Sequence, residues 1–114
     1  MSNEPLPIEV TVAEVAARHK AGEKLILLDV REPVEFEAGH IDGSEHIPLG
    51  QIPMHLEAMV AERPDAEIIC YCHHGRRSLT AADFLRRAGC TRARSMAGGI
   101  DAWSCEVDPT IPRY

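Results

Sequence analysis

Two short segments of the chain are apolar at almost every position. They are LILLDV at residues 25–30 and EIICYC at residues 67–72. A continuous apolar run of this length is typical of a strand buried on both faces, as in a parallel sheet. Three further segments, IEV at 8–10, SEHIPL at 44–49 and RARSM at 92–96, predict shorter strands.

Helix signals separate these strands. Thr11 is a good N-cap for a helix that runs to about Lys20, with Gly22 in the stop position. Pro33 suits the first turn of a short second helix, which Gly39 ends. Each predicted strand is therefore followed by a segment that can cross back over the sheet.

The second half of the chain continues this alternation. Residues 51–63 carry apolar side chains at helical spacing, and residues 78–89 predict a helix with Ser78 as its N-cap. Residues 98–107 predict a last helical turn or two. Strands that alternate with helices indicate an α/β fold, with a central, mostly parallel sheet of about five strands and helices on both faces.

The length of the chain fits one modest domain. At 114 residues it is expected to fold around a single core. We expect residues 1–7 to form a flexible N-terminal arm and residues 8–114 to form the domain. In parallel sheets, ligands bind outside the carboxyl ends of the strands, and Cys72 lies at that end of the most apolar strand.

Charge is distributed unevenly along the chain. The net charge of −6 argues against nucleic-acid and anionic-membrane partners. Residues 1–67 carry fourteen acidic and five basic side chains, a sum of −9. Residues 68–94 carry one acid against six arginines, a sum of +5. Any chemistry on anions is therefore expected in the second half.

The expected compartment decides the state of the four cysteines. The N-terminus lacks the basic start and apolar core of a signal peptide, and no apolar run approaches the roughly 20 residues of a membrane span. We therefore expect a cytoplasmic protein, in which thiols stay reduced. The C-x-C of Cys70 and Cys72 is tighter than a usual zinc pair, and no second pair follows at finger spacing. We predict no metal and no cofactor.

The stretch CYCHHGRRS at residues 70–78 carries the candidate chemistry. The thiolate is the reactive form of cysteine, and three features here favour it. Arg76 and Arg77 are permanent cations, Gly75 allows a tight turn whose N–H groups face inward, and a helix begins near Ser78. We therefore interpret Cys72 as a reactive thiol rather than a core residue.

The two histidines that follow Cys72 are interpreted differently. Histidine side chains can act as acid–base groups near neutral pH, but a preformed thiolate needs no general base, so we assign no such role to His73 and His74. We expect their backbone to matter more than their rings. Cys70 lies on the same strand face as Cys72; we expect it to pack in the core, with a resolving disulfide as the geometrically strained alternative.

Three segments, in this order, resemble single-domain rhodaneses, a family of sulfurtransferases. They are LLDVREPVEFEAGHIDGSEHIPL at 27–49, CHHGRRS at 72–78 and MAGGIDAW at 96–103. The resemblance implies that Cys72 takes sulfane sulfur from a small anionic donor such as thiosulfate and holds it as a persulfide. The sulfur then passes to cyanide, to a thiol, or to a sulfur-accepting protein.

The resemblance also implies roles for the neighbouring residues. The loop would cradle the persulfide and the donor anion through His73, His74, Gly75, Arg76, Arg77 and Ser78. Arg77 is the expected anion-binding side chain, whereas Arg76 is expected to point outward. Asp29 and Arg31 resemble residues that brace the loop; the alternative is an ordinary surface pair.

The length of the loop narrows the reaction class. The cell-cycle phosphatases resemble this fold but place five residues between cysteine and arginine, whereas Cys72 and Arg77 are separated by four. The shorter loop favours a single sulfur over a phosphoryl group. Two other readings stay open: a non-catalytic binding or regulatory module with the same fold, and a sulfur carrier that works with a partner enzyme.

Overall fold

The computed structural model describes residues 6–62 and 65–113. Within them the strands are β1 (Glu9–Val10), β2 (Leu25–Asp29), β3 (Glu45–His46), β4 (Glu67–Tyr71) and β5 (Ala93–Met96). The helices are α1 (Val12–Lys20), α2 (Pro33–Ala38), α3 (Ile52–Glu62), α4 (Arg76–Arg87) and α5 (Gly99–Glu106). A turn of 3₁₀ helix at Leu49–Gln51 leads into α3. The predicted elements are all present.

The strands form one sheet in the order β1-β5-β4-β2-β3. Every neighbouring pair is parallel, which confirms the predicted α/β architecture. The two apolar runs, β2 and β4, lie side by side, and Asp29 is in register with Tyr71. The two strands therefore deliver the residues that follow them to the same edge of the sheet.

Helices cover both faces of the sheet. Side chains alternate along β4, so that Ile69 and Tyr71 pack with the residues of α1 and α5, and Ile68 and Cys70 pack with α3 and α4. Trp103 of α5 is buried in the first of these two clusters. Burial on both faces explains why β2 and β4 are apolar throughout.

The helix starts follow the predicted signals with one exception. The hydroxyl of Thr11 accepts a hydrogen bond from the Glu14 N–H at 3.1 Å, and Pro33 opens α2. Ser78, however, is not an N-cap. The helix α4 begins three residues earlier, after Gly75, whose φ of +108° lets the chain turn from strand to helix within a few residues. Ser78 instead lies buried in the first turn.

The acidic and basic halves of the chain meet in space. Glu67, at the start of β4, is only 5% exposed and receives hydrogen bonds from Arg18, Arg92 and Arg94. The bidentate hydrogen bond from Arg18 holds the pKa of Glu67 below its usual range. Much of the positive charge in the second half is therefore balanced by carboxylates of the first.

No helix within residues 6–62 and 65–113 is long and apolar enough to cross a membrane. Residues 1–5 of the predicted N-terminal arm lie outside the described residues. From Pro7 onward the backbone is in contact with β5, because the Pro7 carbonyl accepts a hydrogen bond from Arg94 at 2.8 Å.

Candidate active site

Cys72 is the first residue after β4 and lies at the carboxyl edge of the sheet. Its side chain is 1% exposed and packs in the cluster that also contains Cys70 and Val30. The position agrees with the expectation for a ligand site in a parallel sheet. The chain then turns at once into α4, so the sulfur sits directly beneath the N-terminus of a twelve-residue helix.

Two backbone N–H groups point at the sulfur. The N–H of Gly75 lies 3.1 Å from Cys72 Sγ, and the N–H of Ser78 lies 3.4 Å from it. In the protonated form, the thiol donates to the hydroxyl of Ser78 at 3.5 Å. These donors and the helix N-terminus all stabilise negative charge on the sulfur.

A pair of buried serines fixes the loop. Ser78 Oγ donates to the Gly75 carbonyl at 3.1 Å and shares a 2.8 Å hydrogen bond with Ser95 Oγ of β5. The Ser95 hydroxyl also reaches the Gly75 carbonyl, at 3.5 Å. The turn around Gly75 is thereby tied to the neighbouring strand, and its N–H stays directed at the sulfur.

The helix α5 closes the site from the other side. The N–H of Ile100 donates to the Cys72 carbonyl at 2.8 Å, and the N–H of Asp101 donates to the His73 carbonyl at 3.1 Å. Gly99 has a φ of +60°, and a Cβ placed on it would lie 2.4 Å from both carbonyl oxygens. Only glycine permits this close approach of the two backbones.

The two arginines of the loop have different surroundings. Arg76 is exposed, as predicted. Arg77 donates from Nη1 to Glu35 Oε1 at 2.6 Å and from Nη2 to Glu35 Oε2 at 2.9 Å. The predicted anion-binding arginine thus already holds a carboxylate of α2, a partner that the sequence reasoning did not identify.

The two histidines stack on each other at the rim of the loop. The ring centroids of His73 and His74 are 3.9 Å apart, and His74 Nε2 lies 3.7 Å from a carboxylate oxygen of Asp101. Among the described residues, these three side chains bring together donor atoms that suit a metal, all within 4.8 Å. Arg113, however, binds both oxygens of Asp101. The carboxylate of this cluster is therefore already engaged by a cation.

Asp29 and Arg31 form a buried ion pair at the end of β2. Both side chains are 0% exposed, and Arg31 Nη2 lies 2.6 Å from Asp29 Oδ2 and 2.6 Å from the carbonyl of Gly39. The guanidinium also lies over the ring of Tyr71, the residue before Cys72, at 5.8 Å. The alternative of an ordinary surface pair is therefore wrong. The pair connects the end of β2 to the turn after α2 and to the end of β4.

The other three cysteines are separate from this chemistry. Cys70 and Cys90 are buried in the same cluster as Cys72, and Cys105 is exposed on α5. Burial raises the pKa of the Cys70 thiol to about 12, which makes it a poor nucleophile at neutral pH. Its predicted place in the core is confirmed.

Four residues that build the site were missed by sequence reasoning: Glu35, Ser95, Gly99 and Asp101. The glycine pair at 98–99 is a local signal, because two consecutive glycines before a helix indicate a close backbone approach. Glu35 and Ser95 give no local signal. Each reaches the loop from a distant part of the chain.

A surface cavity of about 740 Å³ lies at the opposite end of the sheet. Its lining includes Leu25 and Glu67, the first residues of β2 and β4, together with Arg18 and Arg92. These charges neutralise each other in the ion-pair network around Glu67. The cavity is thus separate from the Cys72 thiol.

Fold and site together define an α/β domain with a cysteine in a backbone anion cradle, at the turn between a buried strand and a helix. The chain belongs to the rhodanese-like family of sulfurtransferases: the family described as "Rhodanese-like domain" matches residues 11–106. The resemblance seen in the sequence is thereby confirmed.

Individual relatives share this domain over different extents. The chain is 39% identical to the protein YqhL of Bacillus subtilis over 74% of its own length and 64% of that protein's. It is 34% identical to the thiosulfate sulfurtransferase GlpE of Pseudoalteromonas translucida, over 80% of this chain and 84% of that one. The human single-domain sulfurtransferase TSTD1 superposes with a TM-score of 0.79 at 28% identity, over 89% of this chain and 98% of that one.

Other relatives are much longer than this chain. The adenylyltransferase and sulfurtransferase MOCS3-1 of maize and MoeZ of Mycobacterium tuberculosis are matched over 24% and 26% of their lengths. The two matches include 96% and 92% of this chain. It therefore corresponds to one part of those proteins.

Proposed function

We propose that the chain transfers sulfane sulfur from a donor such as thiosulfate to cyanide or a thiol, through a persulfide on Cys72. The observation that carries this proposal is the pair of N–H groups of Gly75 and Ser78 directed at Cys72 Sγ. Donors at this position stabilise the thiolate that attacks the sulfur donor and that is released again when the sulfur is passed on. The likeness to a thiosulfate sulfurtransferase supports the choice of donor.

The chemistry requires two displacements at sulfur. In the first, the Cys72 thiolate attacks the outer sulfur of thiosulfate; a new S–S bond forms, the S–S bond of thiosulfate breaks, and sulfite leaves with the electron pair. In the second, the acceptor attacks the outer sulfur of the persulfide, and the Cys72 thiolate leaves. No external oxidant or reductant is needed.

The residues around Cys72 have different proposed roles in binding the donor. The cradle is formed by His73, His74, Gly75, Arg76, Arg77 and Ser78, and contributes mainly backbone groups. Arg77 is the side chain proposed to attract the donor anion, and Arg76 steers anions from its exposed position. Asp29 and Arg31 brace the cradle by fixing the ends of β2 and β4.

The test is a search for the persulfide. The protein is incubated with thiosulfate, and intact mass spectrometry is expected to show the gain of one sulfur atom. Cys72→Ser should abolish this gain, whereas Cys105→Ser, which removes the exposed cysteine, should retain it. A sulfur adduct that survives in Cys72→Ser would overturn the proposal. So would the failure of every sulfane donor tested to form an adduct.

A second candidate is a sulfur carrier that acts beside a separate enzyme. It is favoured by the likeness to the putative sulfur carrier protein YrkF of Bacillus subtilis, which is 32% identical over 88% of this chain and 52% of that protein. The two functions differ in turnover. The carrier is favoured if a Cys72 persulfide forms with thiosulfate but sulfur passes to cyanide or small thiols no faster than the background rate measured with Cys72→Ser. The non-catalytic binding module predicts that no persulfide forms.

A further inference from the structure

Arg77 is bound to a carboxylate before any donor arrives. The contact with Glu35 is bidentate, at 2.6 and 2.9 Å, with the two side chains 35% and 17% exposed. Parallel N–H···O bonds of this kind are the strongest arrangement that a guanidinium makes with a single carboxylate. An anion that approaches Cys72 therefore meets an arginine whose charge is already balanced.

Glu35 is itself held in place. Its Oε1 accepts a hydrogen bond from the Glu32 N–H at 3.0 Å, as half of the capping box that begins α2. Pro33 restricts the backbone of the same turn. The carboxylate is thus fixed at the start of a helix and cannot swing freely away from Arg77.

A donor must accommodate both charges of this pair. Thiosulfate is a dianion, so it gains more than a monoanion from the charge of Arg77, and it loses more when the Glu35 carboxylate occupies both Nη groups of that arginine. A donor with one charge at its reacting end, such as a thiol-borne persulfide or a thiosulfonate, is attracted less strongly by Arg77. It therefore also loses less attraction when Glu35 occupies that arginine. The pair therefore lowers the advantage that a lone arginine would give to the dianion.

We propose that Glu35 is a specificity-determining positioning residue, which acts through Arg77 to shift donor preference away from dianions and towards singly charged sulfane donors. The inference rests on the proposed function and names the class of donor that the same site favours. Glu35 takes no part in bond making, and its effect appears in donor binding.

The test compares two donors that differ in charge but not in the bond that breaks. Thiosulfate and methanethiosulfonate both deliver the sulfur attached to a sulfonyl group, and they release sulfite and methanesulfinate. In Glu35→Gln, the KM for thiosulfate is expected to fall about threefold to fivefold, as for loss of one partly exposed charge. The KM for methanethiosulfonate should fall by a clearly smaller factor, and kcat for both donors should stay within about twofold.

The control is Glu37→Gln. It removes the same charge from an exposed position on the same helix, and should leave the ratio of the two KM values unchanged. In an Arg77→Ala background, Glu35→Gln should no longer alter that ratio, because its partner is gone. Should Glu35→Gln fail to fold, Glu35→Asp keeps the charge but is too short for the bidentate contact, and should shift the ratio in the same direction.

The outcomes distinguish a failure of this inference from a failure of the proposed function. Absence of a Cys72 persulfide with either donor would overturn the proposed function. Persulfide formation with both donors, together with equal KM changes or none in Glu35→Gln, would overturn the role of Glu35 alone. A persistent effect of Glu35→Gln in the Arg77→Ala background would show that Glu35 does not act through Arg77.

Discussion

At the scale of single residues, the sulfur of Cys72 is held by backbone rather than by charged side chains. The N–H groups of Gly75 and Ser78 are its nearest donors, while Arg77 faces Glu35. The charge that makes residues 70–78 conspicuous in the sequence is therefore a secondary feature of the site. The turn that directs the N–H groups is the primary one.

A test at this scale is Arg77→Ala. If Arg77 attracts the donor anion, the substitution should raise the KM for thiosulfate, by about threefold to tenfold, with a smaller effect on kcat. The expected factor is modest because Glu35 balances the charge in the parent protein. Steady-state kinetics measure it, and unchanged constants would show that the backbone cradle is sufficient.

The buried pair of Asp29 and Arg31 predicts a large effect on stability. Asp29→Asn would leave a guanidinium buried without its counter-charge, which costs about 3–5 kcal/mol. The matched control is Asp83→Asn, which breaks an exposed ion pair with Arg87 on α4 and should change little. Urea unfolding measures both, and equal midpoints for the two variants would contradict the structural role of the pair.

The sequence makes some of these residues predictable and hides others. Cys72 and the loop can be recognised because their chemistry lies within a few consecutive positions after an apolar strand. The partner of Arg77 cannot be recognised, since Glu35 is 42 residues away in the sequence and reaches Arg77 only in the folded chain. Ser95 is hidden for the same reason, because its contact with Ser78 depends on the pairing of β4 with β5.

At the scale of the elements, the start of α4 and the start of α5 meet around one loop. The first directs N–H groups at the sulfur, and the second binds the carbonyls of Cys72 and His73. The sequence reasoning placed the start of α4 at Ser78, because serine is a common N-cap. The tight turn expected at Gly75 is present, but its positive φ already ends the loop there, so the helix begins three residues earlier than predicted.

The contact of α5 with the loop leads to a prediction at Gly99. Gly99→Ala would place a Cβ 2.4 Å from two carbonyl oxygens at a positive φ, so the helix or the loop must move. We expect a loss of about 3 kcal/mol or more in the free energy of unfolding, and a fall in kcat/KM. Gly43→Ala is the control: it has a similar φ of +83° but open space, and should cost only about 1 kcal/mol. Equal losses would show that the close approach is unimportant.

At the scale of the whole molecule, carboxylates of the acidic first half pair with arginines of the basic second half, while the net charge stays at −6. Glu67 binds Arg18, Arg92 and Arg94, and Glu35 binds Arg77. The charge counts predict that any chemistry on anions lies in the second half of the chain. They could not predict how much of that charge remains after folding, since this depends on contacts between distant segments.

The network around Glu67 predicts how stability depends on pH. The pKa of Glu67 is lower in the folded protein than in the unfolded chain, so the folded state favours the ionised carboxyl. Its contribution is complete above the unfolded pKa of about 4.3, and is lost as the pH falls through the lower folded value. Urea unfolding between neutral pH and pH about 3 should show this loss, and Glu67→Gln should flatten the acidic part of the profile. The control is Glu57→Gln, at an exposed position on α3, which should leave the acidic part of the stability profile unchanged from that of the parent protein. Equal flattening in the two variants would contradict the role of Glu67.

The sheet has a further consequence at its two margins. Its outer strands, β1 and β3, are two residues long, whereas the inner strands have four or five. Such short edges offer too few unpaired backbone groups for another chain to extend the sheet, which protects against edge-to-edge aggregation. For the same reason, a protein that exchanges sulfur with this domain is expected to recognise the side chains around Cys72, and not to add a strand to the sheet.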